Sequence, residues 1–334
     1  MPRYLVLRTP SANRVYAGES GPLSAAELEL TAPFAAEIGD DLRAGVGYLA
    51  FESAQLSTQQ LEIVSRQSAC FALFEEAGDL LRPIELPDPF VLDDDLITIP
   101  KYQGKTNEQF TQLLLGVTLA SVARPANGPR QILDPLAGRG TTLSVALLLG
   151  HDAFGIEGDE KSFEQMASFY KTYLRRKRLK HSADVSTVRR EGKSIGKRLD
   201  LQVGTRAGEA MLTCFTGDTR TSADLFGRKK FDAIVTDAPY GIAHGASTDV
   251  RGTFGRRDRS PAGLLREAIP VWASQLMHGG ALGLSWNTLG LAREDLEALL
   301  SSAGLTVQTG GAWNHFAHRV DSSIRRDLVV AIKP

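Results

Sequence analysis

Four apolar runs in the second half of the chain each stop on an acid: "RQILD" at Asp134, "DAFGIE" at Glu157, "MLTCFTGD" at Asp218 and "KFDAIVTD" at Asp237. Segments of helical period follow three of them: "TTLSVALLLG", "EKSFEQMASFYKTYLRRKRLK" and "SPAGLLREAIPVWASQLMHGG". Strands alternating with helices imply a parallel sheet, because parallel neighbours need a crossover connection. Open parallel sheets bind ligands outside the carboxyl ends of their strands. The pattern therefore places four carboxylates along one crevice edge. A single Asp at a strand end is an ordinary turn former or helix cap; four in succession predict a ligand site.

The rest of the chain fills in around this sheet. "TNEQFTQLLLGVTLASVA" predicts a helix opened by a capping box from Thr106 to Gln109. Ser260 and Pro261 open the helix after the fourth run, "ALGLSWN" reads as a fifth strand, and "AREDLEALLSSAG" as a helix ended by Gly304. "TVQTGGAWNHFA" and "RRDLVVAIK" read as a closing pair. Before residue 95 the chain reads as a small α/β unit. "RYLVLR", "AGVGYLAFES" and "SACFALFEEA" are its strands; "LSAAELELTAPFAAEI" and "STQQLEIVSRQ" are its helices. The proline-marked stretch "RPIELPDPFVLDDDLITIP" predicts an extended surface linker. Two domains follow, 1–95 and 96–334.

Charge divides the same way. Residues 1–100 hold 16 Asp and Glu against 6 Arg and no Lys, a net of −10, whereas the remainder carries 32 Lys and Arg against 23 acids, a net of +9. A basic working domain behind an acidic one is implied, and the acidic domain is a candidate surface for a protein partner or self-association. No apolar run has the length of a membrane span. Cys70 and Cys214 match no metal spacing, and a reduced, cytoplasmic chain without a metal is expected.

Within the crevice, "LDPLAGRGTT" follows the first strand. Gly138 and Gly140 permit a tight turn and close backbone approach, with Asp134, Pro135 and Ala137 in the same loop. The third glycine of a dinucleotide fingerprint is replaced by Leu143, which favours a cofactor lacking a pyrophosphate. Glu157 is placed to accept both hydroxyls of a ribose, with Asp159 as a rival, and Asp218 to accept from an adenine amine. Together these residues describe an adenosine pocket.

The fourth strand end, "TDAPYG", resembles the [Asp/Asn]-Pro-Pro-[Tyr/Phe] motif of amino-group methyltransferases that use S-adenosylmethionine. With "DPLAGRGTTL", "FTGD", "KYQGKTNEQF" and "HRVDSSIRRDLVV", residues 100–334 resemble the tRNA guanosine-10 N2-methyltransferase group. The resemblance implies a Rossmann-like class I methyltransferase sheet with a C-terminal antiparallel strand. It also implies S-adenosylmethionine as cofactor, and transfer of its methyl to an exocyclic amine of a base in RNA, with guanine N2 in tRNA the first choice. Asp237 and a neighbouring carbonyl would align the amine, Tyr240 would stack on the base, and Pro239 would stiffen the loop. The chain departs from the group in two places. Ala238 stands at the first proline of the motif, where a proline should be tolerated, and residues 1–95 do not show the THUMP RNA-binding domain usual in the group. DNA adenine-N6 or cytosine-N4 methylation and a non-catalytic nucleic-acid-binding role are the alternatives. A nicotinamide-dependent oxidoreductase fits the sheet but leaves the DAPYG loop unexplained.

An insertion, 171–205, separates the second strand's helix from the third strand. Residues 171–198 hold 11 Lys and Arg against Asp184 and Glu191. Arg175, Arg176, Lys177, Arg178, Arg189 and Arg190 are expected to follow the phosphates of a nucleic acid, RNA in preference to DNA, aided by Arg251, Arg256, Arg257 and Arg259. His244 is a further substrate candidate, while Trp286 and Trp313 are expected to pack.

Overall fold

The structure is a computed structural model that describes residues 1–11, 14–102, 104–190, 192–240 and 261–334. Gly241, His244, Arg251, Arg256, Arg257, Arg259, Ser260 and the Arg190 side chain lie outside the described residues.

The first sheet is built from β1 (Arg3–Arg8), β2 (Ala36–Arg43), β3 (Val46–Glu52), β4 (Cys70–Ala77) and β5 (Leu80–Ile84). Its order is β2-β3-β1-β4-β5 and every pair is antiparallel. With α1 (Arg14–Thr31) after β1 and α2 (Thr58–Ser65) after β3, the run β1-α1-β2-β3-α2-β4 is the split βαβ arrangement of ferredoxin-like units. Tyr4, Val6, Leu49, Phe51 and Leu73 meet Leu28 of α1, and Ala32 just after it, in its core.

Two sequence expectations change here. The helix predicted over residues 23–38 begins nine residues earlier and stops at Thr31; Pro33 follows, and 36–43 enter the sheet as β2. Gly18, Gly21 and Pro22 hid its first turns. The proline-rich linker is not simply extended on the surface. Its start pairs with β4 as the edge strand β5, where Pro83 is allowed. Its end forms the turn α3 (Asp95–Thr98), which buries Leu92, Leu96 and Ile97 in the core of the larger sheet.

The larger sheet follows α4 (Glu108–Ala120). Its elements are β6 (Gln131–Asp134), α5 (Thr141–Leu148), β7 (Asp152–Glu157), α6 (Glu160–Arg176), β8 (His181–Arg190), β9 (Lys193–Thr205), β10 (Gly208–Thr216), α7 (Ser222–Phe226) and β11 (Phe231–Asp237). They continue with α8 (Pro261–Gln275), β12 (Leu276–Asn287), α9 (Arg293–Ser302), β13 (Thr306–Val307), β14 (His318–Arg319) and β15 (Arg325–Ile332). The strand order is β13-β15-β12-β11-β6-β7-β10-β9-β8, with β14 paired to β15. The five strands β10, β7, β6, β11 and β12 run parallel. β15 lies antiparallel between β12 and β13. This is the Rossmann-like sheet with a C-terminal antiparallel strand that the sequence predicts.

Helices cover both faces. One core joins α4, α5 and α6 through residues such as Phe110, Leu114, Leu143, Phe163 and Tyr170; the other joins α8 and α9 through Leu265, Trp272 and Leu296. The α6 stripe Phe163, Met166, Ala167, Tyr170, Tyr173 and Leu174 has helical spacing, and its remaining faces carry charge. Helix α1 belongs to both units, since Tyr16, Leu23 and Ala26 pack against the α4 core while Leu28 faces the small sheet.

The basic insertion is the hairpin β8–β9, which extends the sheet beyond β10. Its two arginine clusters lie at opposite sheet edges. α6 leaves the carboxyl end of β7, so Arg175, Arg176 and Arg178 stand at the amino edge. Arg189, the penultimate residue of β8, is at the carboxyl edge, about 30 Å away for a ten-residue strand.

Candidate active site

The carboxyl ends of β10, β7, β6 and β11 are adjacent in the sheet, and Asp218, Glu157, Asp134 and Asp237 follow one another along that edge in this order. Asp134, Glu157 and Asp237 are the last residues of their strands; Asp218 comes two residues after β10. Their surroundings give them different work.

Asp134 is 3% exposed and its carboxylate faces inward. It accepts from Thr236 Oγ1 of β11 at 2.7 Å and from the Leu136 amide at 3.0 Å. Burial raises its pKa to about 6, against the pull of these bonds. Asp134 thus braces the loop instead of presenting a carboxylate to the crevice. Pro135 and Ala137 are buried beside it. Gly138 has φ +54°, and a Cβ there would meet nothing within 4 Å, so its outer side is open to a ligand. Gly140, at φ +84°, caps α5, and a Cβ would lie 2.7 Å from Met166 Sδ. Glycine at 140 is fixed by packing as well as by backbone conformation.

Glu157 accepts from the Asp159 amide at 2.7 Å. Burial raises its pKa to about 7, partly offset by the amides of Asp159 and Gly138. Asp159, its sequence rival, is occupied as the N-cap of α6, accepting from Ser162 N at 2.8 Å. Asp218 is also engaged. It caps a short 3-10 turn by accepting from the Arg220 amide at 2.9 Å, and the Arg220 guanidinium lies on it at 2.5 Å. Burial works against its charge, but the bonds from Arg220 outweigh burial and hold its pKa below the usual range. Arg220 thus occupies, in this structure, the carboxylate expected to accept from an adenine amine.

Asp237 is ringed by donors. Thr106 Oγ1 bonds Oδ2 at 2.7 Å, the Tyr240 hydroxyl reaches the carboxylate at 2.7 and 2.8 Å, and Ser285 Oγ bonds Oδ1. Arg326 Nη2 stands 3.8 Å away, and Arg326 Nε donates to the Tyr240 hydroxyl at 2.7 Å. The Arg326 guanidinium is buried between the rings of Phe110 and Tyr240, at 4.6 and 5.3 Å from their centroids. Burial disfavours its charge, but Asp237 and Tyr240 more than restore it. The Tyr240 hydroxyl is pushed well above its ordinary pKa, first by burial and then by Asp237, so it remains a donor. Ala238 is 1% exposed and its amide donates to Ser285 O at 2.8 Å, while Pro239 is exposed.

The segment before α4 spans the crevice. Tyr102 bonds Thr141 Oγ1 at 3.1 Å and carries the Arg139 guanidinium 4.5 Å above its ring, so it sits on the glycine loop. Thr106, four residues on, sits on Asp237. The predicted capping box does not form. Asn107 caps α4 by accepting from the amides of Gln109 and Phe110, which releases Thr106 for the site. Thr106, Ser285 and Arg326 were not predicted as site residues, although Thr106 and Arg326 lie in segments quoted for the resemblance.

The substrate arginines do not gather as expected. Lys177 is held by Asp93 at 2.8 Å and by Asp95 at 2.6 Å, so the acidic linker neutralises the first cluster in part. Arg175, Arg176, Arg178 and Arg189 are exposed, but only Arg189 is on the carboxyl edge. Trp286 is buried and Trp313 packs against the α4 core, as packing residues should.

No protein-family model matches the chain, and no curated protein matches it. Among solved structures, TrmN from Thermus thermophilus is similar at 14% identity over 100% of both chains, with a TM-score of 0.46. The 16S rRNA N2 methyltransferase RsmC of T. thermophilus, solved with AdoMet and guanosine, shares 16% identity over 89% of this chain and 58% of that one, with a TM-score of 0.39. A TehB-like SAM-dependent methyltransferase from Corynebacterium glutamicum shares 15% over 63% of this chain and 83% of its own, with a TM-score of 0.36. These scores are too low to assign a function; the fold is read from the strand order itself.

Proposed function

We propose that the chain is an S-adenosylmethionine-dependent methyltransferase acting on an exocyclic amine of a base in RNA, with guanine N2 in tRNA as the first substrate to test. The observation that carries this reading is the Asp237–Tyr240 loop at the carboxyl end of β11, directly beside the glycine loop that follows β6. Residues 1–95 are taken as an accessory unit and 96–334 as the catalytic one.

The crevice suits an adenosine. Glu157 would accept the ribose hydroxyls, and the open side of Gly138 would admit the cofactor's backbone-facing edge. Asp218 would take part only once it parts from Arg220. When bound, the cofactor supplies an electrophilic methyl on its sulfonium, so no strong base is required.

The protein's task is alignment. A base amine is conjugated and a poor nucleophile. Asp237 accepts one of its hydrogens, and the incoming N–H takes the place of the Tyr240 hydroxyl on the carboxylate. Thr106, Ser285 and Arg326 hold the carboxylate in one orientation. The Tyr240 ring is then available to stack on the extruded base, held by Arg326. The experiment is transfer of tritiated methyl to total tRNA, ribosomal RNA and duplex DNA, followed by mass spectrometry of the nucleosides. Methylguanosine formed by the wild type and lost in Asp237→Ala is the expected result. Transfer to duplex DNA alone would replace the substrate with a DNA base, and no transfer to any of the three would end the proposal.

A further inference from the structure

The glycine loop after β6 carries a charge that the alignment described above does not use. Arg139 lies between Gly138 and Gly140, where β6 turns into α5. Its guanidinium stands 4.5 Å above the Tyr102 ring. The Tyr102 hydroxyl lies 3.1 Å from Thr141 Oγ1, at the start of α5, so the ring is fixed on the loop whose arginine it carries. A cation over an aromatic face is held by the ring quadrupole, which favours one placement of a long side chain. Arg139 is half-buried, and among the described residues it forms no ion pair.

Neighbouring cations are already engaged. Arg220 lies on Asp218, and Arg326 is buried against Asp237 and Tyr240. Lys105 donates to Ile97 O at 2.6 Å and stands 3.3 Å from Glu108. Lys161, in the first turn of α6, acts on Asp159 beside the ribose strand. The nearby acids have other partners. Asp134 accepts from Thr236, and Asp159 caps α6. Arg139 is therefore a cation on the glycine loop with an aromatic support and no anion among the described residues.

The strand order β10-β7-β6-β11 indicates which anion it meets. With adenine at the end of β10, ribose at β7 and the methyl acceptor at Asp237 on β11, the cofactor's sulfur falls between them, over the β6 loop. The amino-acid tail branches from that sulfur. Its carboxylate is the cofactor's single anionic group, since the ammonium and the sulfonium are cations. We infer that Arg139, carried on Tyr102, pairs with the α-carboxylate of the cofactor's methionyl tail and selects nucleosides that bear one. The inference rests on the cofactor reading above. A planar guanidinium meets a carboxylate with two parallel N–H donors. The Tyr102 ring holds it before the ligand arrives, so less side-chain freedom is lost on binding.

The test is binding by calorimetry, so that its outcome is separate from turnover. S-Adenosylhomocysteine carries the tail; 5′-methylthioadenosine has the same nucleoside and thioether without it. Wild type should bind the first more tightly. Arg139→Gln should weaken S-adenosylhomocysteine roughly tenfold, the effect of losing a hydrogen bond to a charged group, and leave 5′-methylthioadenosine unchanged. Arg139→Lys should recover part of the loss, because it keeps the charge without the fork. Tyr102→Phe keeps the ring and should keep the preference for the tail, whereas Tyr102→Leu should lose part of it. An unaltered preference in Tyr102→Leu removes the ring from the pairing. Equal weakening of both nucleosides in Arg139→Gln would mean that the loop itself had shifted, and overturns the pairing. Unchanged S-adenosylhomocysteine affinity in that variant also overturns it; with a smaller salt slope for RNA, the arginine would belong to a backbone phosphate instead. A wild type that binds both nucleosides equally has no carboxylate subsite. A wild type that binds neither sinks the cofactor reading itself.

Discussion

Thr106 Oγ1 donates to Asp237 Oδ2 at 2.7 Å across 131 residues of sequence. The bond ties the segment before α4 to the end of β11, and it exists because Asn107 caps the helix instead. A hydroxyl at this position holds the carboxylate by donating to it. Thr106→Val keeps the shape and removes the donor. A hydrogen bond to a charged group contributes about 1.5–3 kcal/mol, so methyl transfer should fall by roughly ten- to a hundredfold. Because the bond orients the acceptor, the loss should fall on kcat more than on cofactor affinity. Thr106→Ser should keep most of the rate. Wild-type kcat in the valine variant would show that the carboxylate is positioned without Thr106.

The second prediction concerns pH. Burial lifts the Glu157 carboxyl to a pKa of about 7. Ribose hydroxyls would donate to its ionised form, so binding lowers that pKa. Cofactor affinity should then be full above pH 7 and decline as pH falls through it, approaching about tenfold per pH unit. Calorimetry in buffers of different ionisation enthalpy should detect a proton released on binding near pH 6. Glu157→Gln should bind more weakly, with the pH dependence gone. Asp159→Asn should instead act on α6, because Asp159 caps that helix. A flat pH profile for the wild type would remove Glu157 from the cofactor site.

The parallel sheet was legible because each strand ends in a punctuation residue. Asp134, Glu157 and Asp237 stop strands in the structure where the periodicity stops them in the sequence. What the sequence could not show was how each acid is used. Asp134 and Glu157 look alike in a string, yet one faces Thr236 and the other the glycine loop. Arg220 lies two residues from Asp218, but a salt bridge between neighbours depends on turn geometry that composition does not carry. The same limit applies to charge runs. Arg175–Arg178 and Arg189 read as one basic patch, whereas the hairpin sends them to opposite edges. β2 was lost because "AAEIGDDLR" alternates weakly: most of its residues are exposed or half-buried on an edge strand.

Ala238 gives a stability prediction opposite to the one drawn from the motif. Its amide donates to Ser285 O at 2.8 Å, and the residue is buried against the α8 core. Proline removes that donor and leaves the Ser285 carbonyl without it. Ala238→Pro should therefore destabilise the catalytic unit by about 1–3 kcal/mol. A lower urea midpoint with an unchanged slope is the expected result. Equal or greater stability would mean that the loop can move enough to match the two-proline motif.

The last prediction separates the two basic clusters, which the structure places about 30 Å apart. Arg189 lies at the hairpin end on the catalytic edge, whereas Arg175 and Arg176 form the last turn of α6 and Arg178 follows it at the opposite edge. Lys177 is already neutralised by Asp93 and Asp95. A substrate held at Asp237 meets the near cluster first. Gln substitutions at Arg189 and Arg190 should each lower the salt slope of RNA binding by about 0.7–0.9. The same change at Arg175 and Arg176 should matter only for a substrate long enough to cross the hairpin. Short oligonucleotides and full-length tRNA, titrated against both series, distinguish the two positions. If the far cluster controls binding of a short oligonucleotide, the RNA does not enter over the carboxyl edge. Lys177→Gln should have the smallest effect on the slope, because its charge is balanced before RNA arrives; a full contact's worth of lost slope there would mean that RNA displaces the acidic linker.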